Sequence, residues 1–310
     1  MTAALRFKPY TSADWRLVLD FLVDSFARTG RPFNWFVDRW CFTTALGPAF
    51  HGHSRAGQEA RIGLWTDDSG RLMAMADEEE GKGDVFLQFL EPSVATPELV
   101  AEMLDFAERA CVRPRDGAPG FALRIPESLP WVAALALERG YARAEWTEPM
   151  SRRPLEAAPA IPSLPEGLRL ADGRETTGTT RADAHRRAFG YDDPGYVARG
   201  PAAFAAVRES PLWRAELDAA VLDPDGREVS FACGWYDGRN RLVVLEPVGT
   251  DPAFRRKGLA DAAIALVLSR AFALGARSAW VGSDQAFYRA IGFEVAHRYA
   301  VYEYRETRAP

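Results

Sequence analysis

Residues 248–260 read Val-Gly-Thr-Asp-Pro-Ala-Phe-Arg-Arg-Lys-Gly-Leu-Ala and carry the clearest signal in the sequence. It follows an apolar run at 242–245 and precedes residues 259–274, where apolar side chains recur at the spacing of one helix face. A helix N-terminus presents unpaired N–H groups and about half a positive charge, so three cations and a glycine there predict a phosphate or pyrophosphate site. Gly258 admits a close ligand, and Ala260 keeps the next turn narrow. The Walker and Rossmann glycine patterns are absent.

The length of 310 residues predicts two domains, and 47% hydrophobic with 26% charged residues is typical of a globular protein. A proline-rich stretch near the midpoint, residues 152–165, predicts a linker between a first domain at 1–151 and a second at 166–310. A long surface loop within one domain is the alternative.

Several classes of protein are disfavoured by composition. The three cysteines are scattered, the N-terminus has no apolar signal core, and no run approaches the roughly 20 apolar residues of a membrane helix. We therefore expect a cytoplasmic protein with reduced thiols and no membrane partner. A net charge of −5 argues against a nucleic-acid partner. We expect no metal, because His51 and His53 lack a neighbouring cysteine or carboxylate cluster.

The two halves of the chain repeat one order of elements. Each shows three strand-like runs joined by Asp/Gly turns, and each third run ends in Leu-Glu-Pro, at 90–92 and 245–247. A helical stretch, a strand, a short helix and a Gly-aromatic pair follow in both, Gly140-Tyr141 and Gly292-Phe293. The repeat predicts a duplicated α/β (α+β) fold, each copy a mostly antiparallel mixed sheet with helices on both faces.

Residues 248–260 resemble the acyl-CoA motif of the GCN5-related N-acetyltransferase (GNAT) superfamily, and Ala-Phe-Tyr-Arg-Ala-Ile-Gly-Phe at 286–293 is similar to its second signature. The resemblance extends over about residues 166–305. It implies acetyl-CoA as cosubstrate, with the pyrophosphate on the loop and the pantetheine between two splayed strands. The family's asparagine before the tyrosine is replaced by Val281, and we expect Ser283 or Asp284 to make that contact. The cofactor-binding residues so implied are Val248, Gly249, Thr250, Arg255, Arg256, Lys257, Gly258, Leu259, Ala260, Ser283 and Asp284.

The first half resembles the same fold but lacks the loop. Residues 93–100 read Ser-Val-Ala-Thr-Pro-Glu-Leu-Val, and Glu98 in the first helical turn would repel a phosphate. We expect a degenerate copy that serves packing or shapes the substrate cleft, with a second, non-catalytic ligand site as the alternative. Tandem architectures of this kind are known in the superfamily.

Two residues are candidates for proton transfer. The resemblance places Tyr288 beside the CoA sulfur, where a phenol of pKa about 10 suits protonation of a thiolate. Its alternative is packing in a short helix. Glu246 is the candidate base, since it lies two residues before Val248 and should share its side of the pleat. Its alternative is a structural role, which the matching Glu91 favours.

The acceptor is expected between the first two helices of the second half. Asp192, Asp193 and Tyr196 lie there and suit a cationic amine, although a solvated capping loop is equally compatible. Trp235 is a further candidate, with a core position as its alternative.

The sequence thus predicts a tandem N-acetyltransferase that transfers acetyl directly to a small-molecule amine in a ternary complex. An acyl-CoA-binding pseudoenzyme with a regulatory role is the alternative. Acceptor identity and oligomeric state are left open.

Overall fold

The computed structural model describes residues 5–51, 53–79, 81–115 and 117–306. Its strands are β1 (Arg6–Pro9), β2 (Gly63–Thr66), β3 (Leu72–Glu79), β4 (Asp84–Phe89), β5 (Arg113–Arg115), β6 (Ala118–Pro126), β7 (Ala142–Pro154), β8 (Arg169–Ala171), β9 (Asp218–Leu222), β10 (Glu228–Asp237), β11 (Leu242–Thr250), β12 (Ser278–Val281) and β13 (Glu294–Arg305). Its α-helices are α1 (Trp15–Thr29), α2 (Val37–His51), α3 (Arg55–Glu59), α4 (Pro97–Ala110), α5 (Pro130–Glu138), α6 (Gly178–Phe189), α7 (Pro194–Arg208), α8 (Leu259–Ala273) and α9 (Ala286–Ala290). No helix in these ranges is long and apolar enough to cross a membrane.

The chain divides into two compact units that are discontinuous in sequence. Unit 1 comprises Met1–Phe36, His53–Met150 and Ala296–Pro310, and unit 2 comprises Val37–Gly52 and Ser151–Val295. Helix α2 thus belongs to unit 2 and most of β13 to unit 1. The domain boundaries at 151 and 166 stay a prediction about the duplicated sequence.

The predicted linker is only partly irregular. Strand β7 continues through Pro154 by pairing antiparallel with β12, with Ser151 opposite Val281. Residues 155–168 contain neither helix nor strand. The first three residues of the predicted linker are therefore part of a sheet, because Pro154 lies at the strand end, where a missing N–H is tolerated.

Each unit contains a mixed sheet with one parallel pair among the described strands. In unit 1 the order is β1-β2-β3-β4-β6-β13, where β4 and β6 are parallel. In unit 2 the end of β7 is followed by β12-β11-β10-β9-β8, where β11 and β12 are parallel. The remaining assigned pairs in these orders are antiparallel. The predicted class, a mostly antiparallel mixed sheet with helices, is confirmed.

Helices α6 and α8 cover opposite faces of the unit 2 sheet. Phe231 packs with Ala188 of α6, whereas the next residue, Ala232, belongs to the core that Val267 of α8 also enters. Successive residues of a strand point to opposite faces, so the two helices lie on different sides. The end of β11 lies between them, close to the start of α8.

The sheet registers show that the two Leu-Glu-Pro tripeptides occupy different positions. The parallel pairs equate Asp84–Phe86 with Leu242–Val244, because these segments pair with β6 and β12 respectively. Counting on from them, Gln88 corresponds to Glu246, and the expected correspondence with Glu91 is wrong.

The tripeptides also have different secondary structure. In unit 1, Leu90 and Glu91 follow the end of β4, and Pro92 begins a 3-10 helix. In unit 2, residues 245–247 lie inside β11, which continues to Thr250. A proline lacks the N–H of a regular ladder, and β11 accommodates it by a register shift rather than by ending.

Candidate functional site

Strands β11 and β12 separate after a short paired segment. Their parallel ladder ends at Val244 opposite Trp280, whereas β11 continues to Thr250 against β10. From Leu245 onward, the side of β11 that faced β12 has no strand partner in the assigned ladders. An edge of this kind can accept an extended ligand that forms backbone hydrogen bonds.

A bulge lies at the point of separation. Ala232 is opposite Val248, but Gly234 is opposite Leu245, so two residues of β11 face one residue of β10. The peptide bond between Glu246 and Pro247 is cis. A bulge changes the direction in which the following side chains point.

Trp235 supports this bulge from the core. Its indole N–H donates a 2.7 Å hydrogen bond to the backbone carbonyl of Glu246, and its ring packs edge-on against Phe42 at 5.6 Å. The side chain is fully buried. The position of Trp235 therefore does not support the predicted contact with acceptor, because neither its ring nor its N–H is accessible.

A cleft of about 760 Å³ opens beside this edge. Of the predicted cofactor-binding and catalytic residues it is lined by Val248, Gly249, Thr250, Arg255, Arg256, Gly258, Leu259, Ala260 and Tyr288. Residues that sequence reasoning did not single out complete the wall, namely Ala188, Phe189, Phe254, Asp261, Gln285, Phe287 and Ile291.

The start of α8 leaves its first N–H groups free of intrahelical bonds. Gly258 is the N-cap with a left-handed φ of 75° and gives no side-chain cap, and a Cβ placed on it would have no atom within 4 Å. Ala262 donates to the carbonyl of Gly258, so the N–H groups of residues 259–261 precede the first helical bond. This is the geometry that binds anions.

The three cations of the loop have different surroundings. Arg255 donates from Nη2 to the carbonyl of Ala188 at 2.8 Å and from Nε to that of Thr250 at 3.2 Å, so it holds the loop. Lys257 lies with its Nζ 4.9 Å from the Phe254 ring centroid and is not among the lining residues. Arg256 lines the cleft and has no ion pair with any described side chain.

The loop is braced from α6 by a buried ion pair. Arg187 contacts Asp251 at 2.8 Å and donates to the carbonyl of Glu228 at 2.7 Å. Asp251 also accepts from the N–H of Ala253 and so caps the 3-10 helix Pro252–Phe254. The Asp-Pro sequence was a capping signal that could have identified this residue.

Tyr288 lies on α9 with its ring between Phe287 and Phe293, at centroid distances of 5.1 and 5.8 Å. Burial raises the pKa of the phenol above its ordinary value of 10, and the negative charge of Glu246 adds to the effect. The hydroxyl has no hydrogen-bond partner in the described ranges, and the side chain lines the cleft. The phenol therefore stays protonated at neutral pH and can donate to a group in the cleft.

Glu246 is exposed on the bulge, whereas Val248 is half-buried in the cleft wall. The expectation that the two share one side of the pleat assumed a regular strand, and the register shift between Leu245 and Val248 removes that assumption. The negative charge of Glu246 contributes to the raised pKa of Tyr288, but Glu246 itself is not among the residues that line the cleft.

Ser283 and Asp284 do not line the cleft, and their carbonyls and the Ser283 hydroxyl make contacts within the protein. The carbonyl of Ser283 accepts from the Ser151 hydroxyl at 2.6 Å, and that of Asp284 accepts from Arg289 at 2.6 Å. The following residue, Gln285, lines the cleft instead.

A second pocket of about 310 Å³ adjoins α6 and α7, the first two helices of the second half of the sequence. It is lined by Phe50, Gly190, Tyr191, Asp192, Asp193, Tyr196 and Arg199. The rings of Phe189 and Tyr191 stack at 5.8 Å. Because Phe189 lines the larger cleft and Tyr191 this pocket, the two spaces share that aromatic wall.

The predicted acceptor residues in this pocket are engaged. Asp192 pairs with Arg186 at 2.5 Å, and Asp193 accepts the N–H of Tyr196 at 3.0 Å. The Tyr196 hydroxyl is hydrogen-bonded to Nδ1 of His185. Burial raises the pKa of Tyr196, and neighbouring Tyr191 adds to the effect. His185 was missed by sequence reasoning, which had no signal beyond its spacing from the aromatic residues.

The described residues contain no group of three or more His, Cys, Asp or Glu side chains that could hold a metal ion. Gly52 and the side chain of His51, which precede His53 in the sequence pattern, lie outside what the structure describes.

Comparison with known proteins identifies relatives of this site. Residues 187–293 match the Acetyltransferase (GNAT) family. A mycothiol acetyltransferase from Salinispora arenicola (strain CNS-205) is 34% identical over 125 residues, which are 39% of this chain and 31% of that protein. The match thus spans about a third of the length of that relative.

Solved structures share the fold over nearly the whole chain. A GCN5-related N-acetyltransferase from Sphaerobacter thermophilus superposes with a TM-score of 0.62 at 17% identity, covering 97% of this chain and 95% of that one. A tandem GNAT protein from the clavulanic acid biosynthesis pathway gives 0.63 at 15% identity, covering 99% and 100%. The chain therefore shares the fold of these proteins, and its residues 187–293 match the acetyltransferase (GNAT) family.

Proposed function

We propose that the chain is an N-acetyltransferase that transfers acetyl from acetyl-CoA to an amine, with one donor site in unit 2. The observation that carries the proposal is a single cleft that combines an uncapped helix N-terminus, a strand edge without a ladder partner and a protonated tyrosine. The family match covers this part of the chain.

The residues present fit acetyl-CoA. The N–H groups of residues 259–261 and the guanidinium of Arg256 would hold the pyrophosphate, and Gly258 leaves room for it. The backbone of Val248 and Thr250 would pair with the pantetheine amides. Arg255 would act by shaping the loop rather than by contacting phosphate, because Ala188 and Thr250 already accept its N–H groups.

Bound acetyl-CoA supplies an activated acetyl thioester. Glu246 would remove a proton from the acceptor ammonium, directly or through water, and its exposed position on the bulge gives it access to the entering amine. Tyr288 would donate its phenolic proton to the leaving sulfur. The raised pKa of Tyr288 keeps this proton on the phenol at neutral pH. The same buried surroundings would raise the pKa of the CoA thiol, so the leaving thiolate would be a stronger base that accepts the proton more readily.

The acceptor would be a small-molecule amine that approaches past Tyr191. The residues of the smaller pocket support this position, since the pocket shares a wall with the donor cleft. The two adjoining spaces in one unit support direct transfer in a ternary complex. We further propose a cytoplasmic protein without nucleic-acid or metal partners, in keeping with its charge and cysteine content.

Two measurements on the full chain test the proposal. Titration calorimetry with CoA should give one site per chain, and a thiol-release assay with acetyl-CoA over a panel of amines should give turnover. Binding without turnover on any amine would favour the pseudoenzyme. Two CoA molecules per chain would contradict the assignment of a single donor site to unit 2.

A further inference from the structure

The smaller pocket of unit 2 has aromatic walls. The ring of Phe50 meets that of Tyr196 edge-on at a centroid distance of 4.2 Å, and Tyr191 lies 5.1 Å from Tyr196. The hydroxyl of Tyr196 is bonded to His185, which fixes the ring and consumes its polar group. The pocket therefore offers Tyr196 as an apolar surface that suits a planar group.

The acidic groups of the pocket are partly satisfied by the protein. The Asp192 carboxylate pairs with Arg186, and Asp193 caps α7 through the N–H of Tyr196. The helix dipole of α7 further stabilises the negative charge of Asp193 at its N-terminus. These carboxylates therefore have less capacity to bind a ligand cation than their number suggests.

Arg199 provides hydrogen-bond donors that a ligand could use. Its Nε donates to the carbonyl of Phe50 at 2.7 Å, which orients the guanidinium, while Nη1 and Nη2 have no acceptor among the described residues. The hydroxyl of Tyr191 likewise has no assigned partner there. An Arg whose two Nη groups are free presents a geometry that matches a carboxylate.

Gly195 makes room for this arrangement. A Cβ at Gly195 would lie 2.8 Å from Nη2 of Arg199 and 2.9 Å from Oδ1 of Asp193. The guanidinium is therefore seated against the backbone of the first turn of α7. The nearby Asp193 charge opposes an incoming anion, so we expect recognition of moderate strength.

We propose that this pocket binds the acceptor through a planar apolar group that carries a carboxylate, with the carboxylate on Nη1 and Nη2 of Arg199. The proposal rests on the proposed function and names its substrate class, an aromatic amino acid or an amine of similar chemistry. The amine of such an acceptor would have to reach past the wall formed by Phe189 and Tyr191 to enter the donor cleft.

Two probes that differ only in the carboxylate test the proposal, N-acetyl-L-phenylalanine and N-acetylphenethylamine. Calorimetry on the full chain, with and without CoA, should show the acid binding at least about tenfold more tightly, the size of one charge-assisted contact. Arg199→Gln should reduce this preference to less than about twofold. Arg109→Gln, which removes an exposed Arg from α4 of unit 1, should preserve it.

A second variant separates the ring from the charge. Tyr191→Ala should weaken both probes by about the same factor and keep their ratio. Equal affinities in the wild-type chain, absence of binding by the acid, or a preference that survives Arg199→Gln would each overturn the proposal. A chain that binds the acid with this preference but does not bind CoA would refute the proposed function alone.

Discussion

Helices α4 and α8 occupy the same place in the order of elements of the two units, yet their first turns have opposite chemistry. At α4 the Thr96 hydroxyl accepts the N–H of Leu99 at 3.3 Å, Pro97 has no N–H, and Glu98 adds a negative charge. At α8, Gly258 leaves the N–H groups uncapped. Unit 1 thus caps the first turn of this helix with its own side chain, whereas in unit 2 the first turn of α8 has no side-chain cap.

The strands that precede these helices differ in the same way. Past Phe86, β4 has no further pairing with β6, but the side chain of Asn34 accepts the N–H of Phe89 at 3.0 Å and donates to its carbonyl at 2.6 Å. Unit 1 therefore satisfies both backbone groups of Phe89 with one side chain. The corresponding stretch of β11 receives single donors instead, from Trp235 to the carbonyl of Glu246 and from Arg255 to that of Thr250. Gln88, at the position that corresponds to Glu246, is buried and bonded to Trp35 and Asp77.

The largest effect is expected from changing the start of α8. Gly258→Asp should weaken CoA binding by at least about 1,000-fold, because a carboxylate would face the pyrophosphate, while Asp tolerates the left-handed backbone. Gly258→Asn has the same shape without the charge and should lose about tenfold or less. Titration calorimetry measures both. Equal losses in the two variants would attribute the effect to shape and contradict an anion site.

The next largest effect is expected from Asn34, which bonds the backbone of Phe89 at the splayed edge of β4. Asn34→Ala leaves the N–H of Phe89 buried without its partner, whereas the Ser25 hydroxyl still donates to the Phe89 carbonyl, and it should lower the free energy of unfolding by about 2 kcal/mol. Asn34→Asp keeps the acceptor for the Phe89 N–H but places an oxygen against the Phe89 carbonyl, so it should lose at least as much as Asn34→Ala. Urea denaturation gives the comparison. The number of CoA molecules bound per chain should stay at one, because α4 is still capped by Thr96. A second bound CoA would show that the occupied strand edge alone prevents CoA binding in unit 1.

Tyr288→Phe should lower kcat by about 50-fold with CoA affinity within about twofold, since only the proton donor is removed. At the corresponding position unit 1 has Ala136, four residues before Gly140. Tyr141→Phe in unit 1 removes a hydroxyl bonded to Glu108 and should leave kcat unchanged.

The same tyrosine gives a prediction for pH. Because burial raises its pKa above 10, the phenol remains protonated, and kcat should show no alkaline decline from this group up to pH 10. A decline between pH 8 and 10 that disappears in Tyr288→Phe would contradict the assignment.

Glu246→Gln gives β11 the amide that unit 1 has at Gln88, and it should have the smallest effect. We expect kcat/KM near pH 7 to fall about tenfold and to recover as pH rises toward the pKa of the acceptor amine, which then loses its proton to solvent. Steady-state rates from pH 6 to 10 measure this. A loss independent of pH would indicate a structural role for Glu246.

The loop was the most predictable part of the molecule. A strand, a glycine and a helix are local, and the backbone near Gly258 follows from neighbours in sequence. The role of Trp235 was not predictable, because the bulge in β11 determines that the carbonyl of Glu246 needs a donor from the core. The correspondence of Gln88 with Glu246 likewise depends on pairing with a distant strand. Asn34 fills an edge 55 residues away in sequence, and no periodic pattern records such a contact.

Helix α6 carries out several of these tasks with consecutive residues. Arg186 pairs with Asp192 of the smaller pocket, Arg187 braces the loop through Asp251, and Ala188 gives its carbonyl to Arg255. Helix α6 therefore connects the larger cleft, through Ala188 and Arg187, with the smaller pocket, through Arg186. A proline or a one-residue deletion within α6 would therefore shift the larger cleft and the smaller pocket relative to each other. In the proposed reaction, the length of this helix sets the distance between the acetyl donor and the acceptor.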